Sequence, residues 1–481
     1  MQIGWQDVDR WLMGEAWVGS RLQEHLVALC EEIGPRWSGS EGERRAVAYL
    51  LAEWTKAGLS DPHDEAFEFD TWEPGRAIAR VVGEEDWAID ALPTLWCPPA
   101  DLAAPLVDVG YGMPHELGPL RDRLPGCIAL IQGGFEPFSP PRPFPMRLRD
   151  LAEAGVRAAV TPSGKGGRLL NFIPTTDWRD LEGCREAPMP VVQTSSEDGA
   201  RLARRAGQGR RLFLEVESAF RRGASANTVA DLAGDVWPGE HLIIGAHHDT
   251  VPGCPGGLDN GSGVVVLLEV ARLLSLLKRE RGVGPGRTVR FVTFGAEEQF
   301  LQGAFAYVSR HFGFEKERIS HRSTRKGAET SVSPEAWPRL MLNLDTLAAG
   351  PMKGMALQFP ELRAFVQGQL DTMRQGLRCH VIAQMDATGD QFPFALAGIP
   401  SGMLWRWRFV GAHPDVGFGH SPADTLDKVR VRELKEYVGL LSGLALRLSH
   451  APPEAWPEDR LDTGEIVARV KAEVGTVFRT M

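Results

Sequence analysis

The apolar positions near the start of the chain repeat with a helical period. In RLQEHLVALCEEIGPR (residues 21–36) apolar residues lie three and four positions apart, and the stretch stops at a Gly-Pro pair. The stretch ERRAVAYLLAEWTKAGL (residues 43–59) has the same spacing and ends at Gly58, a typical residue after the last helical turn. We therefore predict a pair of helices before the first strands.

After residue 225, short apolar runs alternate with one long apolar helix. The runs are EHLIIGAH, TVRFVTFGAEE, RLMLNLDTL and IPSGMLWRW. Strands that are apolar on both faces are typical of a sheet covered by helices on both sides. The helix at residues 263–277 is apolar almost all round, which predicts burial. The fold class is therefore α/β, a mixed and mainly parallel β-sheet sandwiched by helices.

Between residues 100 and 217 the pattern of apolar and turn-forming residues changes. Short apolar runs such as GCIALIQGG, RAAVTPS and MPVVQTS are separated by turns rich in Pro and Gly, with one helix around MRLRDLAEAGV. We predict a small β-rich domain at residues 100–217, inserted into a larger domain formed by residues 1–99 and 218–481. The polar segment at residues 321–338 is predicted to be a surface loop.

Composition narrows the class of protein. A length of 481 residues suggests two or three domains, and 43% hydrophobic with 24% charged residues is ordinary for globular proteins. A net charge of -10 without a dense Lys/Arg tract argues against nucleic-acid binding. No run of eighteen apolar residues and no signal-peptide pattern is present, and the six cysteines show no CxxC pair. We expect a reduced, cytoplasmic protein without a membrane span, of open oligomeric state.

Acids and histidines follow three of the apolar runs. Because ligand sites in open α/β sheets gather at the carboxyl ends of strands, these side chains are expected to converge, joined by an aspartate before the buried helix and a late histidine. Their carboxylates would repel one another in one cleft unless cations lie among them. Two divalent ions offset four charges, and imidazole with carboxylate suits zinc, with cobalt or manganese conceivable. The residues concerned are His247, Asp249, Asp259, Glu297, Glu298, Asp345 and His420.

The spacing of these residues along a strand end suggests different roles for neighbours. Residues two apart share a face, so His247 and Asp249 are expected together while His248 turns elsewhere. Asp249 is predicted to accept the ring N–H of His247 and fix its orientation. Glu297 and Glu298 should diverge, so that one binds metal while the other acts as general base.

Five motifs in this order and spacing resemble the co-catalytic di-zinc aminopeptidase and glutamate carboxypeptidase-like metallopeptidases. IGPRWSGSEG and SANTVADLAG are similar to that family too, and the inserted region resembles a protease-associated domain. The five motifs are HxD at residues 247–249, LDNGSG, GAEEQFLQGAFAYV, NLD at residues 343–345, and GHSPADTLDK.

The resemblance assigns the ligands. It implies one metal held by His247 and Asp345 and another held by Glu298 and His420. Asp259 would bridge the two metals through its separate oxygens. His413 competes with His420 for the late position, and His420 is preferred because HSPADTLDK matches the family pattern.

The resemblance also implies that Glu297 is the general base and acid, and that the Asp259–Asn260 peptide bond is cis. Cys254, in a Pro/Gly loop between two ligands, is expected to be an inert or pocket-lining thiol. One stretch departs from the family: MDATGDQFPFALAGIP (residues 385–400) has Gly389-Asp390-Gln391 instead of Ser-Asp-His. Asp386 stands where a tyrosine would assist the oxyanion, and an ionised aspartate cannot donate that hydrogen bond.

These features predict a metal-dependent exopeptidase, with an aminopeptidase acting on peptides or amino-acid amides as the first choice. Its catalytic residues would be Glu297 and the orienting Asp249. A carboxypeptidase or amidohydrolase on the same scaffold is the alternative, with Arg406 or Arg408 binding the substrate carboxylate. A single-zinc glutaminyl cyclase-like enzyme and a catalytically silent binding protein are further alternatives, and the intact ligand set argues against both.

Overall fold

The computed structural model describes residues 4–84, 86–137, 139–140, 142–175, 186–314, 337–347, 353–373, 379–406, 417–457, 464–469 and 472. Within them the α-helices are α1 Trp5–Val18, α2 Leu22–Val27, α3 Glu41–Ala57, α4 Pro114–Leu117, α5 Phe144–Glu153, α6 Ser196–Gly207, α7 Ser262–Arg281, α8 Gln302–Phe312, α9 Arg363–Asp371, α10 Gln391–Leu396 and α11 Val431–His450. The strands are β1 Ser60–Val81, β2 Leu92–Pro93, β3 Ala100–Asp108, β4 Ile128–Leu130, β5 Ala158–Pro162, β6 Val191–Thr194, β7 Arg211–Leu232, β8 Trp237–His247, β9 Arg287–Phe294, β10 Leu340–Leu344, β11 Lys353–Leu357, β12 Cys379–Ala383 and β13 Ser401–Arg406.

The chain forms two compact units. The first contains Met1–Phe69 and Gly223–Glu473, and the second contains Asp70–Arg222. The long strands β1 and β7 each continue from one unit into the other. The inserted domain at residues 100–217, and its likeness to a protease-associated domain, stay predictions.

The sheet of the first unit has the order β12-β11-β13-β10-β8-β9-β7. Its central strands β13, β10, β8 and β9 are mutually parallel, while β11 and β7 run antiparallel to their inner neighbours. The predicted fold class, a mixed and mainly parallel sheet flanked by helices, is confirmed. Because the central strands are parallel, their carboxyl ends share one edge of the sheet.

Helix α7 is the core helix of the first unit. Valines and leucines from Val264 to Leu277 are almost all buried, as the apolar sequence predicts. Among the described residues one helical stretch, Gly257–Arg281, is long and apolar enough to cross a membrane, and 89% of its apolar window is buried inside the protein. That burial is typical of the central helix of a packed core.

Among residues 4–59, three α-helices and not two precede the first strand, so the predicted pair was incomplete. Helix α1 was missed; its apolar stripe of Val8, Leu12 and Ala16 is buried although two of its tryptophans and several charges interrupt the pattern. The next predicted helix is α2 continued by the π-helical turn Ala28–Ile33. Helix α3 ends before Gly58 as predicted, and Gly58 has the left-handed backbone (φ 77°) that closes the helix.

In the second unit the predicted apolar runs form β4, β5 and β6, and the predicted helix forms α5. Strands β3, β4, β5 and β6 are parallel in this order, with β2 antiparallel at the end. Their inward side chains pack with α5 around Ile131, Leu148 and Leu151. Most of the predicted surface loop at residues 321–338 lies outside the described residues.

Candidate metal centre

The carboxyl ends of β8, β9 and β10 bring the predicted side chains to one place. His247 is the last residue of β8 and pairs in register with Phe294, the last residue of β9. Glu297 and Glu298 follow β9 by three and four residues, and Asp345 follows directly after β10. The parallel register therefore places these side chains at the same edge of the sheet.

Distances between the side chains divide them into two groups around Asp259. The Nε2 atom of His247 lies 3.2 Å from Oδ1 of Asp259 and 3.5 Å from Oδ1 of Asp345. The Nε2 atom of His420 lies 3.3 Å from Oδ2 of Asp259 and 3.1 Å from Oε2 of Glu298. Each carboxylate oxygen of Asp259 thus faces a different histidine.

This donor set fits divalent cations. Ligand atoms of His247, Asp259 and Glu298 all lie within 4.8 Å of one another, as do those of His247, Glu297 and Asp345. The Oε1 atom of Glu298 is buried and has no hydrogen-bond partner among the described residues, which is costly for a carboxylate unless a cation binds it. Imidazole nitrogen and carboxylate oxygen without thiolate are ligands that zinc accepts.

The pKa shifts describe a pocket that attracts positive charge. Burial raises the pKa of Glu297 well above its usual value, and the carboxylates of Glu298 and Asp390 raise it further against the opposing effect of His247. Burial also raises the pKa of Glu298. Although burial lowers the pKa of His247, the surrounding carboxylates, first Glu297, raise it well above its usual value. Bound cations would relieve the same excess of negative charge.

Asp249 is fully buried and holds the turn that carries both glutamates. Its carboxylate accepts the backbone N–H of Glu297 at 3.1 Å, the backbone N–H of Glu298 at 3.3 Å and the hydroxyl of Ser38 at 2.9 Å. Nδ1 of His247 lies 3.2 Å from the backbone carbonyl oxygen of Asp249 and 3.5 Å from its Oδ1. The predicted contact with the His247 ring is therefore shared between backbone and carboxylate, while the carboxylate also positions Glu297 and Glu298.

The neighbouring candidates His248 and Cys254 lie away from the ligand groups. His248 is fully buried, and its Nδ1 lies 3.0 Å from the hydroxyl oxygen of Thr293. Cys254 is buried with its Sγ 4.0 Å from Oδ2 of Asp424, and burial raises the pKa of its thiol. Among the described residues, neither belongs to a group of side chains that could hold a metal ion.

The backbone around the ligands is unusual at several points. Ala296, Thr346 and His420 have positive φ values of 54°, 50° and 60°, a conformation that non-glycine residues adopt at a cost. His420 is a predicted ligand, and Ala296 and Thr346 stand next to Glu297 and Asp345. The Asp259–Asn260 bond is cis, so the bond geometry implied by the resemblance is confirmed.

Two buried charged residues hold the loop before α7, and no role was assigned to them from the sequence. Arg36 donates to the carbonyl oxygens of His248 at 2.8 Å and Pro255 at 2.9 Å. Asp424 accepts the backbone N–H of Asp259 at 3.0 Å, and burial raises the pKa of Asp424 to about 6. Arg36 lies in the motif IGPR and Asp424 in the motif HSPAD, both of which carried the resemblance. A single charged residue among small and apolar residues was the sequence feature that could have indicated a buried structural role.

The stretch that departs from the family contributes a further buried carboxylate. Asp390 is fully buried, neither of its carboxylate oxygens has a hydrogen-bond partner among the described residues, and burial raises its pKa well above the usual value. The Oδ1 atom of Asp386 accepts the N–H and the hydroxyl of Thr388, at 2.8 and 2.6 Å, and so closes a local turn. His413, Arg408 and the side chain of Arg406 lie outside the described part of the chain.

Comparison with known proteins finds a family model that matches the part of the chain carrying this centre. Residues 227–444 match the model described as Peptidase family M28. This range contains all the candidate ligands, from His247 to His420. The recognition made from the sequence motifs is thereby confirmed, and the family supports a metallopeptidase hydrolase.

The proteins similar to this chain include a carboxypeptidase and an aminopeptidase. Bovine carboxypeptidase Q (Bos taurus) is 26% identical over 301 residues, which cover 61% of this chain and 61% of that protein. The chain thus matches about three fifths of the length of that relative. Aminopeptidase YwaD of Bacillus subtilis (strain 168) is 24% identical over 426 residues, 85% of this chain and 80% of that protein.

A solved structure supports the fold. A zinc aminopeptidase from Bacillus subtilis is 22% identical, covers 92% of this chain and 98% of its own, and superposes with a TM-score of 0.67. At this identity the similarity shows that the two chains share a fold.

Proposed function

We propose that the chain is a two-zinc aminopeptidase that removes N-terminal residues from peptides or amino-acid amides. The observation that carries the proposal is the division of the ligands around Asp259, whose Oδ1 faces His247 and whose Oδ2 faces His420. One carboxylate between two such groups is the arrangement that a pair of metal ions requires. The family match to M28 and the zinc aminopeptidase among the similar structures support zinc as the metal.

The charge of the pocket favours a substrate amine over a substrate carboxylate. Six carboxylates interact there, against four positive charges from two divalent ions. Bound cations favour the ionised form of these carboxylates, so the pocket keeps an excess of negative charge. A free N-terminal ammonium is attracted to such a pocket, whereas a C-terminal carboxylate is repelled. The six residues are Asp249, Asp259, Glu297, Glu298, Asp345 and Asp390.

The side chains have distinct parts in the reaction. His247 and Asp345 would hold one zinc, His420 and Glu298 the other, and Asp259 both. Bound zinc supplies Lewis acidity, which polarises the scissile carbonyl and makes water a nucleophile near neutral pH.

Glu297 acts as the general base and then as the general acid. It takes a proton from the attacking water and returns it to the leaving amine, and its raised pKa brings it closer to the pH at which both steps are efficient. The carboxylate of Asp249 accepts the backbone N–H groups of Glu297 and Glu298. It therefore fixes the position of the base relative to the adjacent ligand.

A carboxypeptidase is the second candidate, because relatives named carboxypeptidase Q match this chain at 26% identity. The two candidates differ in the end of the peptide that must be free. A set of peptides with free or acetylated N-termini, each with a free or amidated C-terminus, therefore separates them.

The zinc-loaded protein is incubated with the four forms of one peptide, and the products are identified by mass spectrometry. The aminopeptidase proposal predicts sequential loss of N-terminal residues from both peptides with free N-termini and no cleavage of the acetylated ones. Cleavage that requires a free C-terminus and also occurs in the acetylated peptides would contradict the aminopeptidase proposal and support a carboxypeptidase. Glu297→Gln serves as the control for contaminating peptidases.

A further inference from the structure

The loop at residues 250–261, called the bridging loop below, presents Asp259 to both histidines. It is held from two sides by buried side chains of opposite charge that are far apart in the sequence. Arg36, before α3, contacts its first half, and Asp424, before α11, contacts its second half. Both side chains are at most 1% exposed.

Arg36 fixes the first half of the bridging loop through main-chain atoms. Its guanidinium donates to the carbonyl oxygens of His248, Pro255 and Gly256 at 2.8, 2.9 and 3.3 Å. Its backbone N–H donates to the hydroxyl of Thr250 at 2.9 Å. These contacts give hydrogen-bond partners to buried main-chain carbonyl groups of an irregular segment.

Asp424 fixes the second half, where the bridging ligand stands. Its Oδ1 accepts the N–H of Leu258 at 2.8 Å and its Oδ2 accepts the N–H of Asp259 at 3.0 Å. Its backbone carbonyl accepts the N–H of Gly257 at 3.1 Å. Three successive N–H groups of the bridging loop therefore end on one residue.

Asp424 also belongs to the loop that carries the other ligand. It stands four residues after His420, and its own N–H donates to the carbonyl oxygen of Ser421 at 3.1 Å. The two loops pack closely, because a Cβ at Gly257 would lie 3.1 Å from the backbone oxygen of Thr425. Asp424 thus joins the loop of Asp259 to the loop of His420.

From these contacts we propose that Asp424 is a positioning residue for the metal centre, which sets Oδ2 of Asp259 against Nε2 of His420. The inference rests on the proposed function, since the position matters only if both side chains bind metal. A buried second carboxylate beside Asp259 is unfavourable in charge, and the two N–H groups of Leu258 and Asp259 compensate it. Residues that orient ligands typically change metal affinity or activity by about 10–100-fold when replaced.

Asp424→Asn tests the role with little change in size. The amide has one accepting oxygen, so one of the two N–H groups of the bridging loop would face an NH2 group instead. Asp427→Asn is the matched control, because Asp427 lies in the same loop, is exposed and pairs with Lys428 and Thr425. Zinc binding is measured on metal-free proteins by titration against a competing chelator, with kcat, KM and the unfolding midpoint of the metal-free form.

We expect Asp424→Asn to weaken one of two zinc sites by about 10–100-fold and to lower kcat at limiting zinc, with partial recovery in excess zinc. Asp427→Asn should stay within about twofold of the wild type, as expected for an exposed pair. If Asp424→Asn binds zinc at both sites as tightly as the wild type, the inference about Asp424 is wrong, even if the metal-free variant is less stable. The proposed function would not be affected by that result. A wild-type protein that binds no zinc would overturn the proposed function as well.

Hydrogen exchange on the wild-type protein covers the case in which Asp424→Asn does not fold. The N–H groups of Leu258 and Asp259 should exchange slowly in the metal-free and the zinc-loaded forms, because Asp424 accepts both. Exchange in the metal-free form as fast as that of an exposed loop would show that Asp424 does not hold the bridging loop, and would contradict the inference.

Discussion

Adjacent residues of the same type have different environments in this centre. Glu298 approaches His420 to 3.1 Å, whereas Oε2 of the neighbouring Glu297 stays 4.0 Å from Nε2 of His247. His247 faces the ligand groups, whereas His248 contacts Thr293 in the core. The alternation of side chains along an extended strand end accounts for the histidine pair.

Glutamine substitutions separate the two glutamates. Glu298→Gln should lose one zinc per chain, because it removes a charged ligand. Glu297→Gln should keep both while kcat falls by about 10²–10⁴-fold, the usual contribution of a general base. The zinc content of the dialysed proteins is measured by atomic emission. Two zinc ions in Glu298→Gln would contradict the role of Glu298 as a ligand, and full activity in Glu297→Gln would contradict the role of Glu297 as the general base.

The two histidines provide a parallel comparison. His247→Asn should lower zinc binding at one site, whereas His248→Asn should retain both zincs and lose only stability, because its ring fills a buried space beside Thr293. The comparison combines zinc titration with thermal unfolding. Loss of zinc in His248→Asn at a temperature where the variant is folded would contradict its place in the core.

At the scale of elements, α1 and α11 are joined by a buried ion pair. Asp9 and Arg447 form two hydrogen bonds of 2.7 Å, and both side chains are less than 5% exposed. This pair was not predicted from the sequence, since the partners are 438 residues apart and α1 itself was not predicted. Apolar runs reveal buried strands, but they do not reveal which polar residues pair across the fold.

Removal of one partner leaves the other charge buried and unpaired. Asp9→Asn should therefore lower the free energy of unfolding by about 3–5 kcal/mol. The exposed pair of Glu41 and Arg44 on α3 is the control, and Glu41→Gln should cost less than about 1 kcal/mol. Urea unfolding followed by circular dichroism measures both, and equal small losses would show that the buried pair contributes no more than the exposed one.

At the scale of the whole molecule, the sequence predicted the candidate ligands but not the residues that hold their loops. The alternating strand and helix pattern predicted the parallel sheet, and the motifs at the strand ends predicted the positions of His247, Asp345 and the two glutamates. Arg36 and Asp424 were not assigned roles, because their partners are main-chain groups of a loop more than 160 residues away. Hydrogen bonds to backbone atoms leave no pattern in the sequence of the loop whose backbone forms them.

The central claim is that two metal ions bind on either side of Asp259. Anomalous diffraction at the zinc edge from zinc-soaked crystals tests it directly. The account predicts two peaks about 3.5–4 Å apart, one contacting His247 and Asp345 and the other contacting His420 and Glu298, with Asp259 between them. A single peak, or peaks away from these five side chains, would contradict it.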